Sequence, residues 1–402
     1  RRCAGHRRAA PARRVRRRAA ALAWVVAAVF AGGGVASLAA DEGAAAPAID
    51  GNARDSVAAP LAAKSLLLDV QAVPGGKALV AVGERGHVLV SESRSDWRQV
   101  EKVPTRSNLT AVTTAGESTW AVGHDGLIMF SADGGLTWTV QRQDVWKPMP
   151  DDADWDAFDP TQGAPLLDVL ALNAQQVIAV GAYSLMLRSD DGGQTWSKID
   201  PNAKPAEAVV AEEESEAIAQ PAEDGEDQAS DDWTMDADAL VLDEEDDPHL
   251  NGIARDAAGQ LMVVGERAAA FRSRDGGQSW ERLSLPYDGS MFGVLALGEG
   301  HFLAYGLRGH VQETMDFGET WVELDTATET TLQGGALTPD GSIFLVGNNG
   351  TVLYRAAGSG QFALQTYSDT EQESPVLSNA LALENRAVIV AGEKGLGRFQ
   401  LN

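Results

Sequence analysis

The sequence predicts an all-β fold, a seven-bladed β-propeller, and three observations carry that prediction. The first is a phrase written four times: SADGGLTW (131–138), SDDGGQTW (189–196), SRDGGQSW (273–280) and TMDFGETW (314–321). The second is a glycine closing the second strand-like run of each unit, at Gly83, Gly123, Gly181, Gly265, Gly306, Gly347 and Gly392, with separations of 40, 58, 84, 41, 41 and 45 residues. A basic period of about 41 residues matches a four-stranded propeller blade. The third is the make-up of each unit: short runs rich in β-branched and aromatic residues, bounded by Gly, Asp and Asn.

The second unit shows the pattern most clearly, as LTAVTTA, TWAVG, LIMFS and TWTVQ, here called strands A to D; the sixth repeats it as LQGGALT, IFLVG, TVLYR and QFALQTY. The seventh runs LSNALAL, AVIVAG and LGRFQLN and lacks a fourth strand. An unpaired outer edge is unfavourable in a closed ring. We therefore expect an N-terminal strand, within residues 57–63, to close the last blade.

The fourfold phrase has the form Ser/Thr-x-Asp-x-Gly-x-Thr/Ser-Trp, the Asp-box pattern. Its aspartate precedes a glycine turn between strands C and D, where a carboxylate can accept backbone N–H bonds and glycine permits the positive φ of a tight turn. Its tryptophan opens strand D and can bury a large ring between blades. Asp133, Asp191, Asp275 and Asp316, with Trp138, Trp196, Trp280 and Trp321, are accordingly read as fold-forming rather than catalytic. The first unit keeps Trp97 within SRSDW, and the sixth has AAGSGQF in place of the box.

Antiparallel alternation sends A–B and C–D connections to one end of a propeller and B–C and D–A connections to the other. Every Asp box is C–D, whereas both long insertions, 142–164 and 200–248, are D–A. The second insertion holds 19 Asp and Glu against one Lys, a composition expected to remain disordered. The first carries Trp146, Trp155 and Phe158, expected to fold back onto the rim, and the run Asp152-x-Asp154-x-Asp156. That run imitates the start of a calcium loop, but Ala157 and Gly163 occupy the positions of the turn glycine and the bidentate glutamate. No metal site and no cofactor are expected.

Residues 1–40 read as a signal peptide. Nine arginines and no acids fill the first 18 positions, followed by an apolar stretch ending in small residues. Residues 41–56 are expected to be a flexible segment and 57–402 the propeller. Removing the leader takes away nine of 32 basic residues against 58 acids, moving the formal charge from −26 to −35. Such a charge disfavours nucleic acid and anionic lipid, and after cleavage no membrane insertion is expected. The lone cysteine, Cys3, lies in the leader, so the exported, periplasmic-type product has no disulfide.

The B–C turns follow the aligned glycines: Glu84-Arg85, His124-Asp125, Ala182-Tyr183, Glu266-Arg267, Leu307-Arg308, Asn348-Asn349 and Glu393-Lys394. Four have a cation in second place despite the acidic chain. Arg85, Arg267, Arg308 and Lys394 are either ordinary solvated turn residues or a basic face that receives an acidic segment of a protein partner or of this chain's own loop.

The repeat body, 66–402 less the insertions, resembles the Ycf48/Hcf136-like family. The likeness is carried by WAVGHDGLIMFSADGGLTW and by VVGERAAAFRSRDGGQSW, where Ala268 replaces the second turn glycine. The resemblance implies a non-catalytic, exported assembly or stability factor. In photosynthetic members an arginine-bearing surface holds a precursor reaction-centre protein of photosystem II, which makes Arg85, Arg267 and Arg308 the candidates here. The acidic insertion departs from the compact photosynthetic pattern, and another membrane complex suits it equally. The competing class is a sialidase-like glycoside hydrolase, for which Arg85, Arg267, Arg308, Tyr183, Glu84 and Glu266 supply the residue types. The Phe/Tyr-Arg-Ile-Pro phrase of that family is absent, and seven units stand where it has six. Convergence of the three arginines around one anion would favour the enzyme; their spread around the rim would disfavour it.

Overall fold

Each unit folds as one sheet with its strands side by side in chain order. The computed structural model describes residues 55–74, 78–145, 147, 159–203 and 247–401. Six sheets have four antiparallel strands and the seventh has three. Blade 1, for example, comprises Leu67–Ala72, Leu79–Gly83, Val88–Ser91 and Arg98–Gln99. The innermost strands of blades 2 to 7 are Leu109–Ala115, Leu166–Ala171, Leu250–Arg255, Met291–Gly298, Leu332–Leu337 and Leu377–Ala382. Each lies beside the next around the axis, and that of blade 7 returns to that of blade 1. The protein is a seven-bladed β-propeller. The leader expected over 1–40, most of segment 41–56 and the interiors of both insertions lie outside the described residues.

Seven hydrophobic cores hold the ring, one at each interface between neighbouring blades. The ring that opens strand D packs backward onto the preceding blade. Trp138, Trp196, Trp280 and Trp321 enter the cores between blades 1 and 2, 2 and 3, 3 and 4, and 4 and 5. Trp97 does the same between blades 7 and 1, and Phe362 of AAGSGQF takes the place of tryptophan between blades 5 and 6. Among the described residues blade 7 has no strand D to carry such a ring. The last interface instead uses Phe399, set edge-on to Phe344 with centroids 6.4 Å apart.

The Asp boxes lock each C–D turn internally. In the first, Asp133 Oδ1 accepts the amides of Leu136 and Thr137 at 3.0 and 2.9 Å, Oδ2 accepts the Thr137 hydroxyl at 2.6 Å, and Ser131 Oγ accepts the Gly135 amide at 2.8 Å. The same core of bonds recurs at Asp191, Asp275 and Asp316. Preceding blades grip these turns from outside: Gln141 Nε2 donates to Gly192 O at 2.9 Å, Arg188 to Gly276 O, and Arg272 Nη1 to Phe317 O at 2.9 Å. Gly134 and Gly192 donate to carbonyls of A–B turns, at Glu117 and Gln175. The Asp boxes thus share the A–B end, as strand alternation requires.

The closing strand expected over 57–63 does not form. Among the described residues the last sheet ends at Gly395–Gln400, and the chain before blade 1 makes a 3₁₀ turn at Ala62–Lys64. This segment is tied to blade 1 instead. Gln99 receives the Ala59 amide on Oε1 at 2.8 Å and donates from Nε2 to Val57 O at 2.9 Å, while the Ser56 amide donates to Val103 O at 2.8 Å. Those bonds commit Ser56, Val57 and Ala59 to blade 1 rather than to a ladder on blade 7. Its alanines 59, 62 and 63 still fill the core between blades 7 and 1.

Two stability experiments follow from this packing. Trp280 is only 6 % exposed, and Trp280→Ala should lower unfolding free energy by about 3–5 kcal/mol in denaturant titration. Deleting the chain up to Lys64 should lower the melting temperature by uncovering the core between blades 7 and 1, and an unchanged melting temperature would contradict that role.

Candidate partner-binding face

The end opposite the Asp boxes is set by one arrangement repeated seven times. The residue after each aligned glycine donates its amide to the carbonyl just before strand A: Glu84 to Leu66, His124 to Asn108, Ala182 to Pro165, Glu266 to His249, Leu307 to Ser290, Asn348 to Thr331 and Glu393 to Val376, at 2.9–3.1 Å. At all seven glycines a Cβ would overlap that same carbonyl oxygen. Close backbone approach, not φ, fixes these glycines: φ at Gly83, Gly306 and Gly347 is −174°, −175° and −169°. Both insertions leave from this end, since the Gly126 amide donates to Ala164 O and the Ser184 amide to Pro248 O.

Within the B–C turns, the second residue is left-handed in blades 1 to 6. Arg85, Asp125, Tyr183, Arg267, Arg308 and Asn349 have φ of 55°, 61°, 56°, 52°, 55° and 55°. Asn and Asp tolerate that region well, whereas Arg and Tyr adopt it at some cost. Backbone strain of this kind concentrates at functional sites. Arg85, Arg267, Arg308 and Tyr183 all project as exposed side chains. Blade 7 differs: Gly392 pairs with Gly395 across a two-residue turn, and exposed Lys394 sets its Nζ 2.7 Å from Glu373 Oε2. The hydrogen bond and charge of Glu373 hold the Lys394 ammonium above its ordinary pKa.

The rim is mixed in charge rather than uniformly basic. Arg308 opens onto a cleft it shares with His310, Glu323, Asp325 and Glu329. His310 stacks on Tyr287 at 3.7 Å between centroids and places Nδ1 2.6 Å from Glu323 Oε1. Tyr183 meets His249 edge-on at 5.1 Å, and His249 Nδ1 lies 3.6 Å from Glu266 Oε1. The blade order places Arg85 on blade 1 and Arg267 and Arg308 on blades 4 and 5, across the ring from it. The three arginines are spread around the rim. With the arginines so placed they do not converge on one anion, and the glycosidase reading finds no support. The calcium-like run 152–156, together with Trp146, Trp155 and Phe158, lies outside the described residues. Among the described residues no helix is long and apolar enough to cross a membrane.

A second feature of this end escapes sequence reading. Each strand A carries a β-bulge after its first residue, seen as a register shift at Leu67/Asp69, Leu109/Ala111, Leu250/Gly252, Met291/Gly293, Leu332/Gly334 and Leu377/Asn379, and in blade 3 where Gly181 pairs with Leu166 and Val180 with Asp168. The bulges line an axial cavity of about 310 Å³ with groups from all seven blades. Asp69 lies buried there: Oδ1 accepts the Val70 amide at 2.7 Å and Asn379 Nδ2, and Oδ2 accepts the Val112 amide at 2.8 Å. Asp168 accepts the Val169 amide on Oδ1 at 2.8 Å and the Ile253 amide on Oδ2 at 2.9 Å. These carboxylates tie blades 7, 1 and 2 together, and blades 3 and 4. Burial pushes them up to about 6 and about 7 against the backbone bonds that lower them, and the charge of Asp69 adds to the rise at Asp168.

A match to a family model, described as the photosynthesis system II assembly factor YCF48, covers residues 89–219. The photosystem II assembly lipoprotein Ycf48 of Synechococcus sp. (strain CC9902) is 24 % identical over 273 residues, which are 67 % of this chain and 65 % of that protein. Among solved structures, a chain described as YCF48 bound to D1 peptide has a TM-score of 0.57 at 15 % identity, covering 89 % of this chain and 98 % of its own. The chain is a Ycf48-like β-propeller. A YCF48 from Cyanidioschyzon merolae is similar to the same degree, with a TM-score of 0.57 at 14 % identity, 85 % of this chain and 97 % of that one. The match to the Synechococcus protein spans about 65 % of that protein's length.

The buried and exposed carboxylates of this Ycf48-like propeller have opposite pH signatures. Side-chain and backbone hydrogen bonds hold Asp191, Asp275 and Asp316 down at about 2, against an ordinary 3.8. The unfolded chain therefore binds more protons there between about pH 2 and 4, and stability falls as acid is added. Asp69 and Asp168 are raised, so the folded chain binds more protons from about pH 4 to about 7, and their contribution is lost as pH rises through that window. The melting temperature should climb from pH 2 to 4 and decline toward pH 8. Asp168→Asn should flatten the decline without changing the acid limb.

Proposed function

We propose that this protein is a non-catalytic, exported scaffold that binds a protein and serves the assembly or stability of a membrane protein complex. The single observation that carries the reading is the Ycf48-like propeller whose elaborated end presents Arg85, Arg267 and Arg308 on strained turns. Proteins named for photosystem II assembly, and a related propeller described as holding a D1 peptide, support a partner of the same kind: a segment of a membrane protein in transit to its complex. Both insertions leave from that end, beside those turns. The lipoprotein in the relative's name supports an extracytoplasmic location, in keeping with the basic, apolar and small-residue order of residues 1–40. The dispersal of the rim arginines supports binding without catalysis.

The partner-binding residues are Arg85, Arg267, Arg308 and Lys394. Crosslinking in the native cell envelope, followed by identification of the captured protein, should yield a subunit or precursor of one membrane complex. The triple change Arg85→Glu, Arg267→Glu and Arg308→Glu should then abolish that capture while leaving the melting temperature within about 2 °C of wild type, because exposed turn positions contribute little to stability. Undiminished capture by the triple variant would remove the arginines from the site.

A further inference from the structure

The axial cavity is polar on its floor, apolar on part of its wall and incompletely satisfied. Leu68, Leu167 and Phe292 stand at bulge positions on the wall, with Asn251 and Gln333 among the other bulge residues. Asp69, Asp168 and Tyr305 are the titratable groups that line it. Tyr305 belongs to strand B of blade 5 and would ordinarily be screened from the axis by strand A. It reaches inward because its partner across the ladder is Gly293: a Cβ there would overlap the phenol oxygen. Tyr305 is 5 % exposed, yet among the described residues its hydroxyl has no hydrogen-bond partner. The fields of Asp168 and Asp69 add to burial in raising its pKa, so the phenol and both carboxylates act on one another. The Tyr305 hydroxyl faces the cavity. A phenol with no protein partner, beside the buried carboxylate of Asp69 and the half-buried one of Asp168, marks a place for a donor.

We propose that this cavity receives a primary alkylammonium group, supplied by a lysine side chain of a bound protein or by a free polyamine. A primary ammonium has three N–H donors and no acceptor. A carboxylate offers about four acceptor directions, and Asp168 uses one on each oxygen for Val169 and Ile253. One free direction on each of its oxygens and the Tyr305 oxygen make three acceptors. The methylene stem of the ligand would lie along Leu68, Leu167 and Phe292. A cation there offsets the mutual repulsion of Asp69 and Asp168, so both carboxylates lose protons as it binds. The inference is independent of the rim arginines, since the cavity is built by strand A and Tyr305; its mouth opens within the ring of B–C turns.

Calorimetric titration of the whole protein with n-butylammonium chloride at pH 8 tests it, with n-butanol as the neutral control. Butylammonium should bind, butanol should not, and affinity should fall as pH is lowered from 8 to 5 while Asp168 and Asp69 take up protons. Tyr305→Phe removes a hydroxyl that no described residue bonds, so it should keep the wild-type melting temperature and weaken binding roughly tenfold, the loss of one charged hydrogen bond. Asp168→Asn should abolish binding. Comparing N-acetyl-lysine methylamide with spermidine separates the sources: the tighter of the two names it, and either outcome supports the site. No response to butylammonium, an equal response to butanol, a response to calcium chloride alone, or binding unchanged in Tyr305→Phe would overturn the proposal.

Discussion

The molecule depends on one close approach made seven times, between the amide that follows each aligned glycine and the carbonyl that precedes strand A. Only a residue without a Cβ permits it. The contact pins the B–C turn against the entry of its own blade, and this has two effects at once. It presents the second turn residue outward in a fixed left-handed conformation. It also starts the ladder one residue out of step, so the bulge turns a side chain toward the axis in every blade. Rim and cavity are two products of the same bond.

The cohesion of the ring has a different origin. It comes from burial between blades, where the aromatic that opens strand D reaches back onto its predecessor, and from the grip of Gln141, Arg188 and Arg272 on the next box turn. Where blade 7 lacks strand D, the cores on either side are completed by Phe399 and by the alanines of the incoming chain. The Asp boxes keep their carboxylates ionised through hydrogen bonds within one short turn. Their task is to hold the turn that delivers the tryptophan, which explains why they sit at the end away from the rim.

Blade number, strand order and the two faces were readable because each rests on local chemistry: the spaced glycines, the box phrase, and short runs rich in β-branched and aromatic residues. Phe362 was readable in the same way once AAGSGQF was aligned with the boxes. The closing strand was misjudged because edge pairing is only one way to cover an outer strand. Gln99, an unremarkable residue in sequence, binds the Ala59 amide and the Val57 carbonyl and holds the segment to blade 1. Asp69 and Asp168 were invisible for a related reason. A bulge shifts the alternation by one residue, so a carboxylate that simple alternation would leave in solvent is carried into the interior. Tyr305 reaches the axis only because Gly293 stands in front of it, a pairing no local pattern announces. The rim cations were found, but the carboxylates beside them come from D–A connections and neighbouring turns distant in sequence.

The left-handed second position of the B–C turns has an evolutionary corollary. In six blades φ there is the same to within about 10°, whether the residue is Arg, Asp, Tyr or Asn. The frame therefore holds for each of these four residue types, with Arg and Tyr adopting it at some cost in strain. A lineage can rewrite what the ring recognises by single-codon changes on an invariant frame, and new clients can be acquired or discarded without any blade having to be rebuilt.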